Sequence, residues 1–220
     1  MNNQRNSIED KFKIIISVGD ESGIGPEIIL KALYSKDIPH NLDFIIVGSK
    51  NNLENTYKNL KSLGVKNIVD PNNYQIYDTK IPFEINKQKQ SNGNASFFYL
   101  KKAIEIVQKY TNAALVTGPI CKKSWSLAGH NYSGQTELLA ESCQVNNVGM
   151  LFTAKSPITG WRFNTLLATT HIPLCEVPKQ LSTNLIHTKL DLFAKFCKTY
   201  VNKPLLKVAG LNPHAGEEGI

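Results

Sequence analysis

AALVTGPICKKSWSLAGHNYSGQTELLAE, residues 113–141, is the stretch from which the fold of this chain is read. It opens on an apolar run, Ala113 to Val116, which has the length and composition of a buried strand. The run breaks at Thr117-Gly118-Pro119, where glycine frees the backbone and proline removes a ladder donor. Lys122 and Lys123 follow, then a loop carrying Gly129, His130 and Gly134. The polar turn Gln135-Thr136-Glu137 leads into the helix-like Leu138-Leu139-Ala140. A strand that ends in glycine, cations and hydroxyls places hydrogen-bond donors where the chain leaves the sheet. In open α/β sheets that carboxyl edge is where ligands bind. An anion such as phosphate suits it.

Working outward, the same layout recurs. Ile14-Ile15-Ile16-Ser17-Val18 runs into Gly19-Asp20-Glu21-Ser22-Gly23-Ile24-Gly25-Pro26. Leu166-Leu167-Ala168-Thr169-Thr170 is a β-favouring run that ends on His171. Leu205-Leu206-Lys207-Val208-Ala209 runs into Gly210-Leu211-Asn212-Pro213-His214-Ala215-Gly216. As parallel neighbours, these strands would bring histidines, lysines, an amide and carboxylates to one rim.

Between them lie helical patterns. Glu27 to Tyr34 follows Pro26, which suits a first helical turn. Leu53, Tyr57, Leu60 and Leu63 recur at helical spacing behind a strand at Phe44–Val47. Residues 67–94 read as loops with one short strand. Ala95 to Tyr110 is amphipathic, with Phe97, Leu100, Ile104 and Val107 on one face. Val148 to Thr153 reads as a strand that turns back at Thr159-Gly160 into Trp161 to Thr170. Ser182 to Tyr200 is a helix with Ser182 or Thr183 as its cap. Alternating strands and helices imply a mainly parallel, doubly wound sheet. Residues up to Asp10 read as a disordered lead-in. The last strand has no helix after it to cover the sheet, so the expectation is a chain cut short at its C-terminus.

Composition narrows the function. The chain has 220 residues, is 41% hydrophobic, and carries 25 Lys and Arg against 18 Asp and Glu, a net charge of +7. The lysines are scattered and form no basic stripe interleaved with aromatics, which argues against nucleic acid and for a small anion or a solvated surface. The four cysteines form no CxxC pair, so neither a disulfide framework nor a zinc ribbon is indicated. No signal-peptide core and no run of membrane-spanning length are present, and the expectation is a cytoplasmic protein with no membrane partner.

Of the histidines, His40 and His187 read as solvated or structural, and His130 sits in the loop described above. His171 and His214 stand apart, each at an apolar strand end beside a proline turn. Two imidazoles can share a divalent metal, but a catalytic site normally has a third protein ligand. Gly23-Ile24-Gly25 lacks the third glycine of a dinucleotide fingerprint and reads as a tight turn. Ser124 and Ser133 have no histidine–acid arrangement to activate them. Cys121 beside two lysines is a weak signal for a lowered thiol pKa.

Four segments together resemble one family. They are Gly19 to Glu27; Thr117-Gly118-Pro119 with Lys122, continuing to Gly134-Gln135-Thr136-Glu137; Thr169 to Leu174; and Gly210 to Glu217. In this order they are similar to the 4-hydroxythreonine-4-phosphate dehydrogenases. The resemblance implies an isocitrate/isopropylmalate-dehydrogenase-like fold of two doubly wound α/β lobes with a cleft between them. The lobe boundary is expected near residues 111–120, and the C-terminal part of the family's chain is absent. It implies oxidation of 4-phosphooxy-L-threonine with NAD or NADP and a divalent cation (zinc, magnesium or cobalt). The keto acid formed would lose carbon dioxide to give 3-amino-2-oxopropyl phosphate, in pyridoxal 5'-phosphate biosynthesis. It further implies a homodimer, His171 and His214 as two of three metal ligands, and Gln135, Thr136 and Lys122 as substrate contacts.

Two departures stand out. Gln135 occupies a place that is commonly histidine in the family, and an amide can hydrogen bond but cannot relay a proton. The family's third metal histidine and several substrate contacts lie beyond Ile220, so residues 1–220 alone are expected to turn over little or no substrate. Two rival readings remain: a phosphate-binding acyltransferase of related fold, and a non-catalytic truncated relative. Metal dependence separates the first from the dehydrogenase, and turnover separates the second.

Overall fold

A computed structural model describes residues 11–79, 88–214 and 216. The expected lead-in to Asp10 lies outside them, as do Ala215 and Glu217 of the last family segment. The chain divides into two compact units, Met1–Ser142 and Cys143–Ile220.

The first unit is built on four strands, β1 (Phe12–Ser17), β2 (Leu42–Gly48), β3 (Gln75–Asp78) and β4 (Ala113–Thr117). Their order is β3-β2-β1-β4 and every pairing is parallel. Strands of this kind need crossovers. These are supplied by α1 (Gly25–Ala32), α2 (Lys50–Ser62) and α3 (Gln88–Val107). Pro26 sits in the first turn of α1, and the Ser49 hydroxyl accepts from Asn52 N to cap α2. Ile45, Ile46 and Val47 are consecutive and all buried, as are Ile15 and Ile16. Successive strand side chains point to opposite faces, so both faces of the sheet are covered.

Helix α3 is apolar on two sides. Tyr99, Ala103 and Ile106 join the sheet core with Leu30, Leu53 and Ile46. Phe97, Leu100 and Ile104 form a second cluster with Trp125 of α4 (Lys122–Leu127) and Leu138 of α5 (Gln135–Ser142). Inside it the Trp125 indole donates to Ser96 Oγ at 2.8 Å, which satisfies its one polar atom. The helix starts at Gln88, whereas its amphipathic pattern starts only at Ala95. The polar stretch Ser91-Asn92-Gly93-Asn94 is helical because it packs: Ser91, Asn92 and Gly93 are buried. A methyl group added at Gly93 would lie 2.0 Å from the Ser124 carbonyl oxygen, so only glycine lets α3 and α4 approach this closely.

The second unit holds β5 (Leu151–Lys155) and β6 (Arg162–Leu166), an antiparallel pair. The turn at Thr159-Gly160, with Gly160 at φ +70°, makes the expected reversal. Two strands this close in sequence can only pair antiparallel. The parallel doubly wound sheet is therefore the property of the first unit. The expected strand at Leu166–Thr170 ends at Leu166, and Leu205–Ala209 is not a strand. The latter run follows Pro204 and has no ladder partner among the described residues. Ser182 accepts from Leu185 N at 3.2 Å and caps α7 (Thr183–Cys197), preceded by the short α6 (Val177–Gln180). The region 111–120, expected at a lobe boundary, lies inside the first unit because β4 is hydrogen bonded along β1.

Candidate functional site

Strands β1 and β4 are neighbours, so their carboxyl ends share one rim. Gly118 N donates to Ser17 O at 2.7 Å and Asp20 N donates to Pro119 O at 2.9 Å, tying the two exit loops together. The fit leaves no room for a side chain. A methyl group at Gly118 would meet Val18 O at 2.2 Å, and Gly19 takes φ +79°. Asp20 is buried and its carboxylate accepts from Ser22 N and Oγ at 3.0 and 2.7 Å.

The loop Ala128–Gly134 then returns the chain to this rim. The Gln135 amide donates through Nε2 to Gly118 O at 3.1 Å. Its Oε1 is buried and has no hydrogen-bond partner among the described residues. An unpaired buried acceptor is costly, and a ligand donor would relieve it. Space around Gly134 is filled by charge: a methyl group there would lie 3.5 Å from Lys122 Cε, 3.7 Å from Lys122 Nζ and 3.5 Å from Glu137 Oε2. Lys122 and Thr136 are exposed. The structure thus brings Lys122 and Gln135 together at the end of β4, with Thr136 next in the chain at the start of α5. The Cys121 thiol just before α4 is held below the ordinary thiol range by hydrogen bonds with Ser124.

Sequence reasoning missed part of this rim. The Tyr99 hydroxyl, buried, donates to Glu21 Oε1 in the β1–α1 loop. Burial raises the Glu21 carboxyl above its usual range, and the Asp20 and Asp78 charges push the same way. Burial and Glu21 likewise raise Tyr99. Glu21 was visible as an acid at a strand end, but nothing in the pattern of α3 pointed Tyr99 at it.

The expected metal ligands both belong to the second unit. His171 follows β6 at φ +56°, a left-handed conformation unusual for a non-glycine residue and one found at functional positions. His214 N donates to Asn212 Oδ1 at 2.9 Å in a tight turn. Both side chains are exposed. As imidazoles they suit a divalent cation, but two are less than a full protein ligand set. Among the described residues no group of three or more His, Cys, Asp or Glu is gathered for a metal.

A parallel sheet with glycine-tight strand ends, a lysine and a half-satisfied amide at its carboxyl edge defines an α/β protein suited to take a ligand at that edge. Residues 40–220 match the family described as pyridoxal phosphate biosynthetic protein PdxA. The chain belongs to that family. It is 42% identical over 228 residues to the 4-hydroxythreonine-4-phosphate dehydrogenase of a Nostoc species, covering 99% of this chain and 63% of the relative. To that of a Synechococcus species it is 44% identical over 209 residues, covering 94% and 63%. The structure of the Klebsiella pneumoniae 4-hydroxythreonine-4-phosphate dehydrogenase superposes with a TM-score of 0.75 at 26% identity, over 96% of this chain and 66% of that one. The Burkholderia phymatum enzyme gives 0.72 at 25% identity, over 94% and 64%. The chain therefore spans 63% of the length of the Nostoc and Synechococcus relatives. No helix among the described residues is long and apolar enough to cross a membrane.

Proposed function

We propose that the whole protein oxidises the secondary alcohol of 4-phosphooxy-L-threonine with a nicotinamide cofactor, NAD or NADP, and a divalent cation. The observation that carries this is the rim at the end of β4, where the Gln135 amide is fixed on Gly118 O with Lys122 beside it. In a chain of this family, that arrangement suits a small phosphorylated amino acid. The Lys122 ammonium offers charge to an anionic group of the substrate. The Gln135 Oε1 accepts a substrate hydroxyl or ammonium proton, and the Thr136 hydroxyl offers a further hydrogen bond. Holding a small substrate by several groups orients the carbon that loses hydride against the cofactor.

A nicotinamide, when bound, would supply the hydride acceptor; with Lys122, Gln135 and Thr136 holding the substrate, loss of hydride and of the hydroxyl proton would give 2-amino-3-oxo-4-(phosphooxy)butanoate. This β-keto acid loses carbon dioxide to give 3-amino-2-oxopropyl phosphate. His171 and His214 would hold the divalent cation, which supplies Lewis acidity toward the alcohol and the ketone. Asn212 fixes the backbone of His214, and the left-handed turn fixes that of His171. We assign the working form as a cytoplasmic homodimer.

The test is reduction of NAD and of NADP by the whole protein with 4-phosphooxy-L-threonine and each of zinc, magnesium and cobalt. Metal-dependent reduction with release of carbon dioxide is the expected result. His214→Ala should remove most of the metal response. Reduction that ignores chelation would reject the metal assignment, and acyl transfer in its place would favour the related phosphate-binding acyltransferases.

A further inference from the structure

The loop that delivers Gln135 is itself clamped, and the clamp is a histidine. His130 Nε2 donates to Asn94 Oδ1 of α3 at 3.0 Å. Its ring stacks on Phe97 with centroids 3.6 Å apart and planes 7° from parallel, and it meets Phe98 edge-on. Its backbone N donates to Trp125 O at 2.9 Å, closing the end of α4. Two residues on, the Tyr132 ring lies against Phe97 and Trp125, and its hydroxyl donates to Glu141 at 2.8 Å. The loop between α4 and α5 is thus held from three sides, and Gln135 is the first residue of the helix it leads into.

We propose that His130 is a positioning residue: by bonding Asn94 and stacking on Phe97, it sets where Gln135 meets the rim. The contact with substrate is made by Gln135 and the fixing of Gln135 by His130. The inference rests on the reading of Gln135 as a substrate contact, but the positioning has its own readout. Exposed loops normally sample many conformations, and an aromatic stack plus a hydrogen bond suppresses that sampling at one end. Burial and the charge of Lys101 both lower the His130 pKa, which favours the neutral ring in this setting.

Two variants separate the parts of the clamp. His130→Phe keeps a stacking ring and loses the donor, and Asn94→Ala loses the acceptor and keeps the ring. In the whole protein, the side-chain amide resonance of Gln135 reports its bond to Gly118 O. Both variants should move that resonance toward the value of a solvated amide, and the double variant should add nothing further. KM for 4-phosphooxy-L-threonine should rise about fivefold in each, the worth of one neutral hydrogen bond, with the change falling on KM rather than kcat. In a Gln135→Ala background the same substitutions should leave KM unchanged. An unmoved Gln135 amide in variants that melt like the parent would overturn the proposal, as would KM effects that persist without Gln135. A Gln135 amide that moves while KM does not would uphold the positioning and reject Gln135 as a substrate contact. Should His130→Phe not fold, Asn94→Ala alone decides.

Discussion

The two units of this chain use similar apolar runs to different ends. In the first, Ile14–Ser17 and Ala113–Val116 are strand because each has a parallel neighbour, and Ile15, Ile46, Leu30 and Leu53 are wholly buried. In the second, Leu205–Ala209 is of comparable composition but is not a strand, and Leu205 is 84% exposed. Ile158 and Leu174 are more exposed still, and among the described hydrophobic residues of this unit only Cys197 is buried. An apolar run specifies a strand only where partners satisfy its backbone and cover its faces. A two-stranded pair such as β5–β6 is marginal by itself. Stability is therefore concentrated in the first unit, which also carries the rim at the end of β4.

The largest predicted effect would break this contrast if it failed. Trp125→Ala, at a fully buried site, should destabilise the first unit by about 3–5 kcal/mol, because it leaves a cavity and removes the indole donor from Ser96 Oγ. Trp161→Ala, at a side chain 65% exposed, should change stability by no more than about 0.5 kcal/mol. Denaturant titration followed by backbone signals from each unit measures both. Equal losses would show that the second unit is packed as tightly as the first.

A smaller effect is expected at the rim. Gln135→His in the whole protein should retain turnover within about tenfold, roughly 1.4 kcal/mol of transition-state stabilisation. Either side chain can donate to Gly118 O, which is the bond that fixes the residue. Loss of several hundredfold would show that the free Oε1, rather than the donor, is what the substrate uses.

The smallest effect is with pH, and it sharpens the assignment of His130 to the first unit's packing. Its folded pKa is lowered from the ordinary 6.5, by burial first and by Lys101 second. The unfolded chain then binds the proton more readily than the folded one. The stability that His130 contributes is present above the unfolded value and falls as pH drops below about 6.5 through the folded one. His130→Phe should flatten that part of the profile. An unchanged slope in the variant would place the titration elsewhere.

How much of this could be read from sequence follows the same divide. The strands β1, β2 and β4, the capped helices α2 and α7, and the turn at Gly160 were all legible, since local pattern and packing agree there. The start of α3 was not. Ser91 to Asn94 are poor helix formers, and their helix is fixed by contacts with α4 far along the chain. The strand expected before His214 did not form, and that before His171 stops at Leu166, for a related reason, since periodicity cannot say how far a run has partners. At the end of β4, the placement of Lys122 and Gln135 was legible from the strand-end glycine and the polar turn that follows it. The Tyr99–Glu21 and His130–Asn94 contacts were not, because they join residues whose spacing in sequence carries no signal.

The central claim is that the end of β4, with Lys122 and Gln135, takes the anionic substrate. It is tested most directly by the KM for 4-phosphooxy-L-threonine of the whole protein and its Lys122→Ala variant, at fixed cofactor and metal. The account predicts measurable turnover in the parent and a KM raised about tenfold or more in the variant, the size expected of a lost charge-assisted contact. A variant with the parent's KM, or a parent without turnover, would contradict it.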